Sequence, residues 1–361
     1  MKSNETKEET AGETLISRSE EPLNLEMSFA SLREFITPNE QFYVRCHFPI
    51  PQLTAEAWQL RLEGAIGAPR TFTCADLRAL PQHTVTATME CAGNGRSFLQ
   101  PKVKGVEWNL GAVGNAEWTG VLLRDVLEQA RVNEDAIEVI LEGADKGEIK
   151  EPPRPAGEIQ YAHSLPLAKA RADVLLALDL NREPLTHSHG FPLRAVVPGW
   201  YGMAAVKWIQ RIIVSAVPFQ GYYQSIDYSY WTRRDGLPTL LPLAEMQVKA
   251  QIARPSAGES VPPDTAYRVH GAAWGGAGSI AKVEVTADGG ATWAEATLLG
   301  EVILNAWRLW EWKWKTPAKA GPARLLARAT DSTGRTQPRE RVGDYGSYMV
   351  NHWLPIEVEI A

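Results

Sequence analysis

The segment at residues 88–97, TMECAGNGRS, carries the strongest local signals in this chain. Its first half predicts a strand that ends at Cys91, and the Ala-Gly-Asn-Gly run predicts a turn directly after that strand. Glycines in such a turn let the backbone approach a large ligand closely, and Arg96 supplies a fixed cation nearby. The segment therefore predicts a strand whose end carries a binding site.

Three interpretations of Cys91 remain open on this segment alone. The cysteine can be a ligand at a site, a buried structural residue before a tight turn, or a hydrolytic nucleophile. The last interpretation needs a histidine within hydrogen-bond reach, and no spacing in the sequence nominates one.

Length and composition limit the possible classes of protein. The chain has 361 residues, which suggests two or three domains, and its 44% apolar residues are enough for real cores. The net charge of −6 argues against a dedicated nucleic-acid binder. No apolar run approaches the length of about 18 residues that a membrane-spanning helix needs, so we expect no membrane partner. Three cysteines without a C-x-x-C pair exclude a disulfide scaffold and a conventional structural zinc site.

The first 25 residues are expected to be a disordered acidic arm. Residues 1–22 contain six Glu against three Lys or Arg and no apolar signal-peptide core. We therefore expect a cytoplasmic protein, or a periplasmic one if a presequence has been removed.

Residues 26–242 show a mixed α+β pattern. The sequence predicts a hairpin over about 54–73, a short helix over 74–80, and a longer helix over 120–132. Strands are predicted over 136–145 and 172–180, with two more around the Pro198-Gly199 turn. Residues 243–361 instead show short alternating strands separated by Gly and Pro turns, as in a β-sandwich.

Two further clusters could carry chemistry. His187-Ser188-His189, followed by Arg194 and Lys207, suits an anionic phosphate better than a metal, because two histidines do not close a metal site. The stretch Phe42–Pro49 places Arg45 and His47 inside an apolar run, which fits a binding site or a buried salt bridge equally well.

Eight segments, in this order along the chain, resemble the sulfite oxidase family of molybdenum enzymes over residues 35–361. They are FYVRxH at 42–47, CAGNxR at 91–96, VKGxEW at 103–108, EGxD at 142–145, HGFPxR at 189–194, VVPG at 196–199, VKW at 206–208 and WxRRD at 231–235. The resemblance implies a sulfite-oxidase-type molybdopterin domain at 26–242. It also implies an immunoglobulin-like dimerisation domain at 243–361, and hence a homodimer. The family's b-type haem domain has no counterpart in the sequence, so no haem is expected.

The resemblance implies one molybdenum-molybdopterin cofactor per chain, with Cys91 as the single protein ligand of the metal. A soft, low-pKa thiolate suits a high-valent metal already held by dithiolene sulfurs. The positions matched to cofactor binding are Tyr43, Val44, Arg45, Cys46, His47, Cys91, Asp145, His189, Arg194, Ala205, Val206 and Lys207.

The substrate pocket implied by the resemblance is cationic and has an indole wall. Its matched residues are Arg45, Arg96, Lys104 and Trp108, beside Cys91. Gly236 and Ser279 stand where the family has a substrate-site tyrosine and arginine. Tyr222, Tyr223, Tyr228 or Tyr230 could supply the missing contact, and these departures leave the exact substrate open.

The expected function is oxidation of sulfite to sulfate with transfer of electrons to an external acceptor, either a cytochrome or oxygen. One alternative keeps the cofactor but acts on another S-oxide or N-oxide, even in the reducing direction. A second alternative is an interaction protein without a cofactor that has kept the fold.

Overall fold

The computed structural model describes residues 15–361, and β-strands dominate it. The three α-helices are α1 (Cys74–Ala79), α2 (Leu123–Glu128) and α3 (Leu167–Ala172). The strands before residue 243 are β1 (Ile16–Ser19), β2 (Asn24–Glu26), β3 (Val44–Arg45), β4 (Leu60–Gly64), β5 (Arg70–Phe72), β6 (His83–Glu90), β7 (Val113–Leu122), β8 (Glu138–Glu148), β9 (Glu158–Pro166), β10 (Leu175–Leu180), β11 (Glu183–Pro184), β12 (Arg194–Val196), β13 (Ile209–Ser215), β14 (Ser229–Arg234) and β15 (Leu237–Pro242). No helix within residues 15–361 is long and apolar enough to cross a membrane.

Two five-stranded sheets form the body of the N-terminal part. One has the order β11-β10-β7-β6 with β12 also paired to β10, and the other has the order β5-β4-β13-β8-β9. Alternate side chains of the second sheet, such as Leu60, Leu141 and Ile212, are fully buried in one core because successive residues of a strand face opposite sides. The predicted hairpin is confirmed as β4 and β5, and the predicted short helix is confirmed as α1.

The long helix predicted over 120–132 is wrong at its start. Residues up to Leu122 belong to β7, which pairs with β6 and β10 over that stretch, so only Leu123–Glu128 is helical. The apolar spacing that indicated a helix is shared by a strand buried on both faces, because Val121 and Leu122, which face opposite sides of β7, are both buried.

The prediction that the first 25 residues are disordered is wrong for residues 15–25, the part of the arm that the structure describes. Strands β1 and β2 pair with each other, and β2 pairs with β3, over residues that were expected to be disordered. The Glu26 carboxylate anchors this sheet by accepting hydrogen bonds from the backbone amides of Asn109 and Gly111, at 2.9 and 3.0 Å. Residues 1–14, the rest of that predicted arm, lie outside the described residues.

The C-terminal part consists of two sheets that share one apolar core. Its strands are β16 (Lys249–Arg254), β17 (Ser260–Val261), β18 (Ala266–Trp274), β19 (Ile280–Thr286), β20 (Ala294–Glu295), β21 (Thr297–Leu298), β22 (Arg308–Lys315), β23 (Gly321–Asp331) and β24 (Ile356–Ile360). They form a four-stranded sheet, β16-β18-β22-β21, and a five-stranded sheet, β17-β24-β23-β19-β20. Trp310 and Trp314 on β22 lie in the shared core, as their alternation predicts.

A buried polar network joins the C-terminal sheets to the strand that precedes Cys91. Lys249 Nζ lies 3.0 Å from the Glu90 Oε1 carboxylate oxygen, and both side chains are almost fully buried. The second Glu90 oxygen accepts a hydrogen bond from Trp274 Nε1 at 2.8 Å, and Asn94 donates to the first at 3.0 Å. The C-terminal part therefore holds the Glu90 carboxylate, next to Cys91 in the chain, in a fixed position.

Candidate active site

Cys91 follows the last residue of β6, where the strand enters the predicted turn. The turn closes through a 2.8 Å hydrogen bond from the Asn94 amide to the Cys91 carbonyl, and Gly95 adopts a φ of 88° that favours glycine. The Cys91 side chain is only 6% exposed. Burial raises the pKa of its thiol, while Arg45 and Arg96 act in the opposite direction. The low-pKa thiolate expected from the sequence is therefore not produced by the protein's own groups.

The structure argues against one of the three interpretations of Cys91. No hydrogen bond joins its sulfur to a histidine within the described part of the chain, which removes the support for a hydrolytic nucleophile. No three His, Cys, Asp or Glu side chains among residues 15–361 are grouped to hold a metal ion. A metal at Cys91 would therefore take its other ligands from a cofactor.

Arg96 is held beside Cys91 by the backbone of two distant loops. Its Nε donates to the Ser347 carbonyl at 3.0 Å, and its Nη1 donates to the Val106 carbonyl at 2.8 Å. The guanidinium carbon lies 5.1 Å from the centre of the Tyr348 ring, in a cation–π contact. A Cβ at Gly105 would lie 2.5 Å from Nη1, so only glycine leaves room for this arrangement.

A second group of cations lies on the other side of Cys91. Buried Arg194 donates to the His189 and Ala205 carbonyls, and Lys207 donates to the Ser188 carbonyl at 2.8 Å. Burial lowers the pKa of Arg194 to about 10 and also lowers the pKa of Lys207. Neither has a carboxylate within ion-pair distance among residues 15–361, and the acid that interacts with Lys207 across the cavity is Asp145.

His189 contributes differently from the two cations. Burial lowers its pKa to about 3, which keeps the ring neutral at physiological pH. Its Nε2 lies 3.1 Å from the Phe42 carbonyl and its Nδ1 lies 2.9 Å from the Thr186 hydroxyl. A neutral His189 ring contacts the Phe42 stretch and would offer a phosphate a hydrogen bond rather than a positive charge, and its role in cofactor binding stays a prediction.

Arg45 and His47 extend from β3 toward the same space. Arg45 Nη1 lies 3.2 Å from Asn24 Oδ1 and also donates to the Cys46 carbonyl. No carboxylate pairs with Arg45 within the described residues, so the salt-bridge interpretation of this stretch is wrong. His47 Nε2 lies 2.6 Å from the Tyr228 hydroxyl, and burial lowers the pKa of the ring well below its usual value.

Asp145 is a buried acid with an unused acceptor. Its side chain is 3% exposed, and its Oδ1 has no hydrogen-bond partner in the structure. Burial raises its pKa to about 7, against the opposing effect of Lys207. Such an orphaned acceptor fits a ligand that brings hydrogen-bond donors to this point.

Asp145 makes the protein prepared without cofactor less stable as the pH rises. Its folded-state pKa of about 7 exceeds the ordinary value of 3.8, so its favourable contribution is complete below about pH 4 and is lost through pH 7. We expect Asp145→Asn to be more stable than the wild type at pH 8 by on the order of 3 kcal/mol, with the difference shrinking toward pH 4. Denaturant unfolding at several pH values measures this, with exposed Asp235→Asn as the matched control. Equal pH dependence in both variants would contradict the prediction.

Most of the residues predicted to bind the cofactor line one inner cavity. These are Tyr43, Arg45, His47, Cys91, Asp145, His189, Arg194, Ala205, Val206 and Lys207. Val44 and Cys46 do not line it, because they point into a small core with Trp208. The Cys46 sulfur still lies 3.3 Å from Lys207 Nζ, so it helps to fix that cation.

An outer cleft of about 460 Å³ opens from the other side of Cys91. Of the residues predicted for the substrate, Arg45 and Arg96 line it, and Lys104 lies at its rim, with its ammonium 2.6 Å from exposed Glu151. Trp108 is not among the lining residues. It is wholly buried in the apolar core that also contains Cys91, which corrects the predicted indole wall.

The two positions that depart from the family pattern lie away from the cleft. Gly236 is at the tip of the β14–β15 hairpin, where a Cβ would meet no atom within 4 Å. Ser279 precedes β19 and accepts a hydrogen bond from the Ser332 amide. Neither lines the outer cleft.

Tyrosines and four acids line the cleft; the acids are Glu21, Glu148, Glu151 and Asp227. Of the four candidate tyrosines, Tyr222, Tyr223 and Tyr228 line it, whereas Tyr230 packs on Tyr345. Asp227, Ser347 and Tyr348 also line the cleft, and the sequence did not predict any of them there. Asp227 could have been predicted, because it is next to the candidate Tyr228 in the sequence. Nothing in the sequence indicates that residues 347–348 lie near Cys91.

The residues present fit a molybdopterin cofactor. A single sulfur, two cations without acid partners and an orphaned acceptor surround one cavity, and these groups suit a metal, a phosphate and a pterin ring.

Comparisons with known proteins agree with this fit. The sequence profile of the oxidoreductase molybdopterin binding domain matches residues 47–223, and that of the Mo-co oxidoreductase dimerisation domain matches residues 241–361. The crystal structure of the sulfane dehydrogenase SoxCD from Paracoccus pantotrophus is similar, with a TM-score of 0.81 and 27% identity, over 95% of this chain and 87% of that one.

Two curated relatives are similar over most of the chain. The mitochondrial sulfite oxidase of Drosophila melanogaster is 36% identical over 95% of this chain, which spans 62% of that protein's length. The sulfite oxidase of Gallus gallus is 36% identical over 89% of this chain and 72% of its own length. With both domain profiles matched and a full-length structural likeness, the chain belongs to the sulfite oxidase family of molybdopterin-dependent oxidoreductases.

Proposed function

We propose that this protein oxidises sulfite to sulfate and passes the electrons to an external acceptor, a cytochrome or oxygen. The observation that carries the proposal is the position of Cys91 between two cationic spaces. Arg194 and Lys207 lie on the cofactor side, and Arg96 lies on the cleft side, while Arg45 borders both.

The cofactor would be held by groups of known character. Cys91 would supply the protein ligand of the metal, and Arg194 and Lys207 would neutralise the phosphate. The Asp145 carboxyl would accept a hydrogen bond from the pterin ring. When bound, the molybdenum-molybdopterin group supplies oxygen-atom transfer and two-electron redox chemistry.

The cleft residues bind and orient the oxyanion. Arg96 keeps its Nη2 group without a partner in the described structure, and Arg45 keeps its Nη2 group free in the same way. Two guanidiniums held at fixed positions neutralise charge on a substrate without reorganising during the reaction. The buried Tyr228 hydroxyl, hydrogen-bonded to His47, offers a proton site at the junction of the two spaces.

The proposal is tested by sulfite-dependent reduction of an artificial dye with purified, molybdenum-loaded protein. We expect about one molybdenum per chain and steady turnover with sulfite. A chain that folds but takes up no molybdenum would point to an interaction protein without a cofactor. A loaded chain that leaves sulfite unchanged would refute the proposed substrate.

A second candidate keeps the cofactor and changes the sulfur substrate or the direction of reaction. The likeness to a sulfane dehydrogenase favours it, as do the tyrosines and the acids that line the cleft. Dye reduction with other reduced sulfur compounds, and oxidation of a reduced dye with S-oxides and N-oxides as electron acceptors, separate this candidate from the first.

The two arginines of the cleft are expected to contribute similarly to use of the oxyanion. Arg45→Gln and Arg96→Gln should each lower kcat/KM for sulfite. The corresponding rise in activation free energy should be about 1.5–3 kcal/mol, the range for a lost charged hydrogen bond. Steady-state kinetics measure this, with exposed Arg233→Gln on the neighbouring hairpin as control. Unchanged kinetics in both cleft variants would place the anion elsewhere.

We also propose that the two C-terminal sheets form an immunoglobulin-like sandwich that dimerises the protein. The matched dimerisation profile supports this, and Trp307, Trp310 and Trp314 are buried within one chain, so these three indoles are not available to a dimer contact. Light scattering of the full chain at micromolar concentration should give twice the 39.9 kDa chain mass. A single-chain mass would refute the dimer.

A further inference from the structure

The outer cleft is larger than a small inorganic anion requires. Its volume of about 460 Å³ lies inside the range of roughly 300–1,000 Å³ that is typical of sites for organic ligands. It reaches from Cys91 at its inner end to the exposed Lys104–Glu151 ion pair at its rim. A substrate that filled the cleft would therefore carry an organic group as well as a reacting sulfur.

The charge at the inner end of the cleft suits a monoanion. Arg45 and Arg96 each bring one positive charge, and Asp227 brings a carboxylate that accepts a hydrogen bond from Tyr348. Burial raises the pKa of Asp227, but Arg45, the Tyr348 hydrogen bond and Arg96 all oppose that rise. With Asp227 ionised, Arg45, Arg96 and Asp227 together carry one positive unit. The other charged residues of the lining are two cations and three acids, namely Lys104, Lys150, Glu21, Glu148 and Glu151, so the lining as a whole is neutral and the positive charge is confined to the inner end.

The walls of the cleft suit an apolar substituent. Tyr222 and Tyr223 pack edge to face, with ring centres 5.2 Å apart, and Tyr228 and Tyr348 pack with ring centres 5.1 Å apart. Packed rings of this kind offer rigid apolar faces at a low cost in conformational entropy. The tyrosine faces and the arginines lie in the same cleft, so one ligand can contact both.

We propose that the cleft accepts organic sulfinates, monoanions in which a carbon group replaces one oxygen of sulfite. This inference rests on the proposed function and names its substrate class. The sulfinate sulfur keeps the lone pair that sulfite uses, and the carbon group lies against the tyrosines.

The overall reaction balances without breaking a bond to sulfur. The sulfinate and one water give a sulfonate, two protons and two electrons. A sulfur–oxygen bond forms, with the oxygen derived from water, and the protons leave to solvent. Two equivalents of an external one-electron acceptor, ferricyanide in the assay, take up the electrons.

Two measurements test the proposal on the full chain. With loaded enzyme and ferricyanide, benzenesulfinate should be oxidised with a kcat/KM about tenfold or more above that of methanesulfinate, because the ring buries against the tyrosines. Calorimetry on both the loaded and the cofactor-free protein should show that benzenesulfonate binds more tightly than sulfate. This binding measurement does not depend on catalytic activity.

Asp227→Asn tests the charge argument. Removing the carboxylate adds a positive unit to the cleft, so sulfate binding should strengthen about tenfold relative to benzenesulfonate binding. Asp235→Asn, with the same change of charge on the exposed β14–β15 hairpin, should leave the ratio unchanged. An equal change of the binding ratio in both variants would show that Asp227 does not set the charge of the cleft.

The outcomes distinguish this inference from the proposed function. Turnover of sulfite without benzenesulfinate oxidation or benzenesulfonate binding would overturn the inference alone. Benzenesulfonate binding that depends on Asp227, in loaded enzyme that oxidises neither sulfite nor sulfinates, would support the ligand class and refute the proposed reaction. Absence of both binding and turnover would overturn both.

Discussion

Replacing Cys91 with serine is expected to reduce turnover by at least about a thousandfold, equivalent to ~4 kcal/mol of transition-state stabilisation. A hydroxyl is a harder and much less acidic ligand than a thiol, so it substitutes poorly where a metal needs a soft sulfur. The fold should survive, because serine is close to cysteine in volume and the turn closes through the backbone carbonyl of residue 91. Dye reduction, molybdenum content and circular dichroism together measure the effect.

Cys74→Ser is the matched control for this variant. Cys74 is the first residue of α1, is only partly buried and lies outside both the inner cavity and the outer cleft. Its replacement should leave activity close to that of the wild type. Near-normal activity in Cys91→Ser would instead rule out the metal-ligand assignment, whatever the control shows.

Lys249→Met is expected to destabilise the protein by about 3–5 kcal/mol, the usual cost of removing one partner of a buried ion pair. The substitution leaves the Glu90 carboxylate buried without its cation, with only Trp274 and Asn94 as side-chain donors. Because Glu90 immediately precedes Cys91, the same change should also disturb the turn that begins at Cys91. Denaturant unfolding of the cofactor-free and loaded chains measures both effects.

Two companion variants make this expectation specific. Adding Glu90→Gln to Lys249→Met removes the unpaired charge and should recover a large part of the lost stability. Lys315→Met breaks an exposed ion pair with Asp264, whose side chains are 68% and 71% exposed, and should cost less than about 1 kcal/mol. A similar loss in Lys249→Met and Lys315→Met would show that the buried network contributes little.

Local patterns in the sequence predicted much of the architecture. The Thr73 capping box around Asp76 fixes the start of α1, and the alternation along β22 places Trp310 and Trp314 in the core. The pattern failed at residues 120–122, because a doubly buried strand and a helix can show the same run of apolar residues. It also failed at β1 and β2, where an acidic composition concealed Glu26 and its backbone partners.

The resemblance to a family supplied the cofactor residues, and the structure brings most of them to one cavity. It could not foresee their chemical state. Whether His189 is charged depends on the carbonyl of Phe42, which lies 147 residues away in sequence, and on burial of the ring. The position of Trp108 in a matched motif likewise does not reveal that its side chain is buried in the core.

The sequence by itself determined the family, the strand that leads to Cys91, and the sets of residues that could hold a cofactor. Those features depend on residue type and short spacing, which can be read along the chain. Only the tertiary structure decided that Ser347 and Tyr348 fix Arg96, that Lys249 and Trp274 hold Glu90, and that Asp227 enters the cleft. These contacts join residues that no local pattern connects, because they arise only when the C-terminal sheets pack against the strand that carries the cysteine.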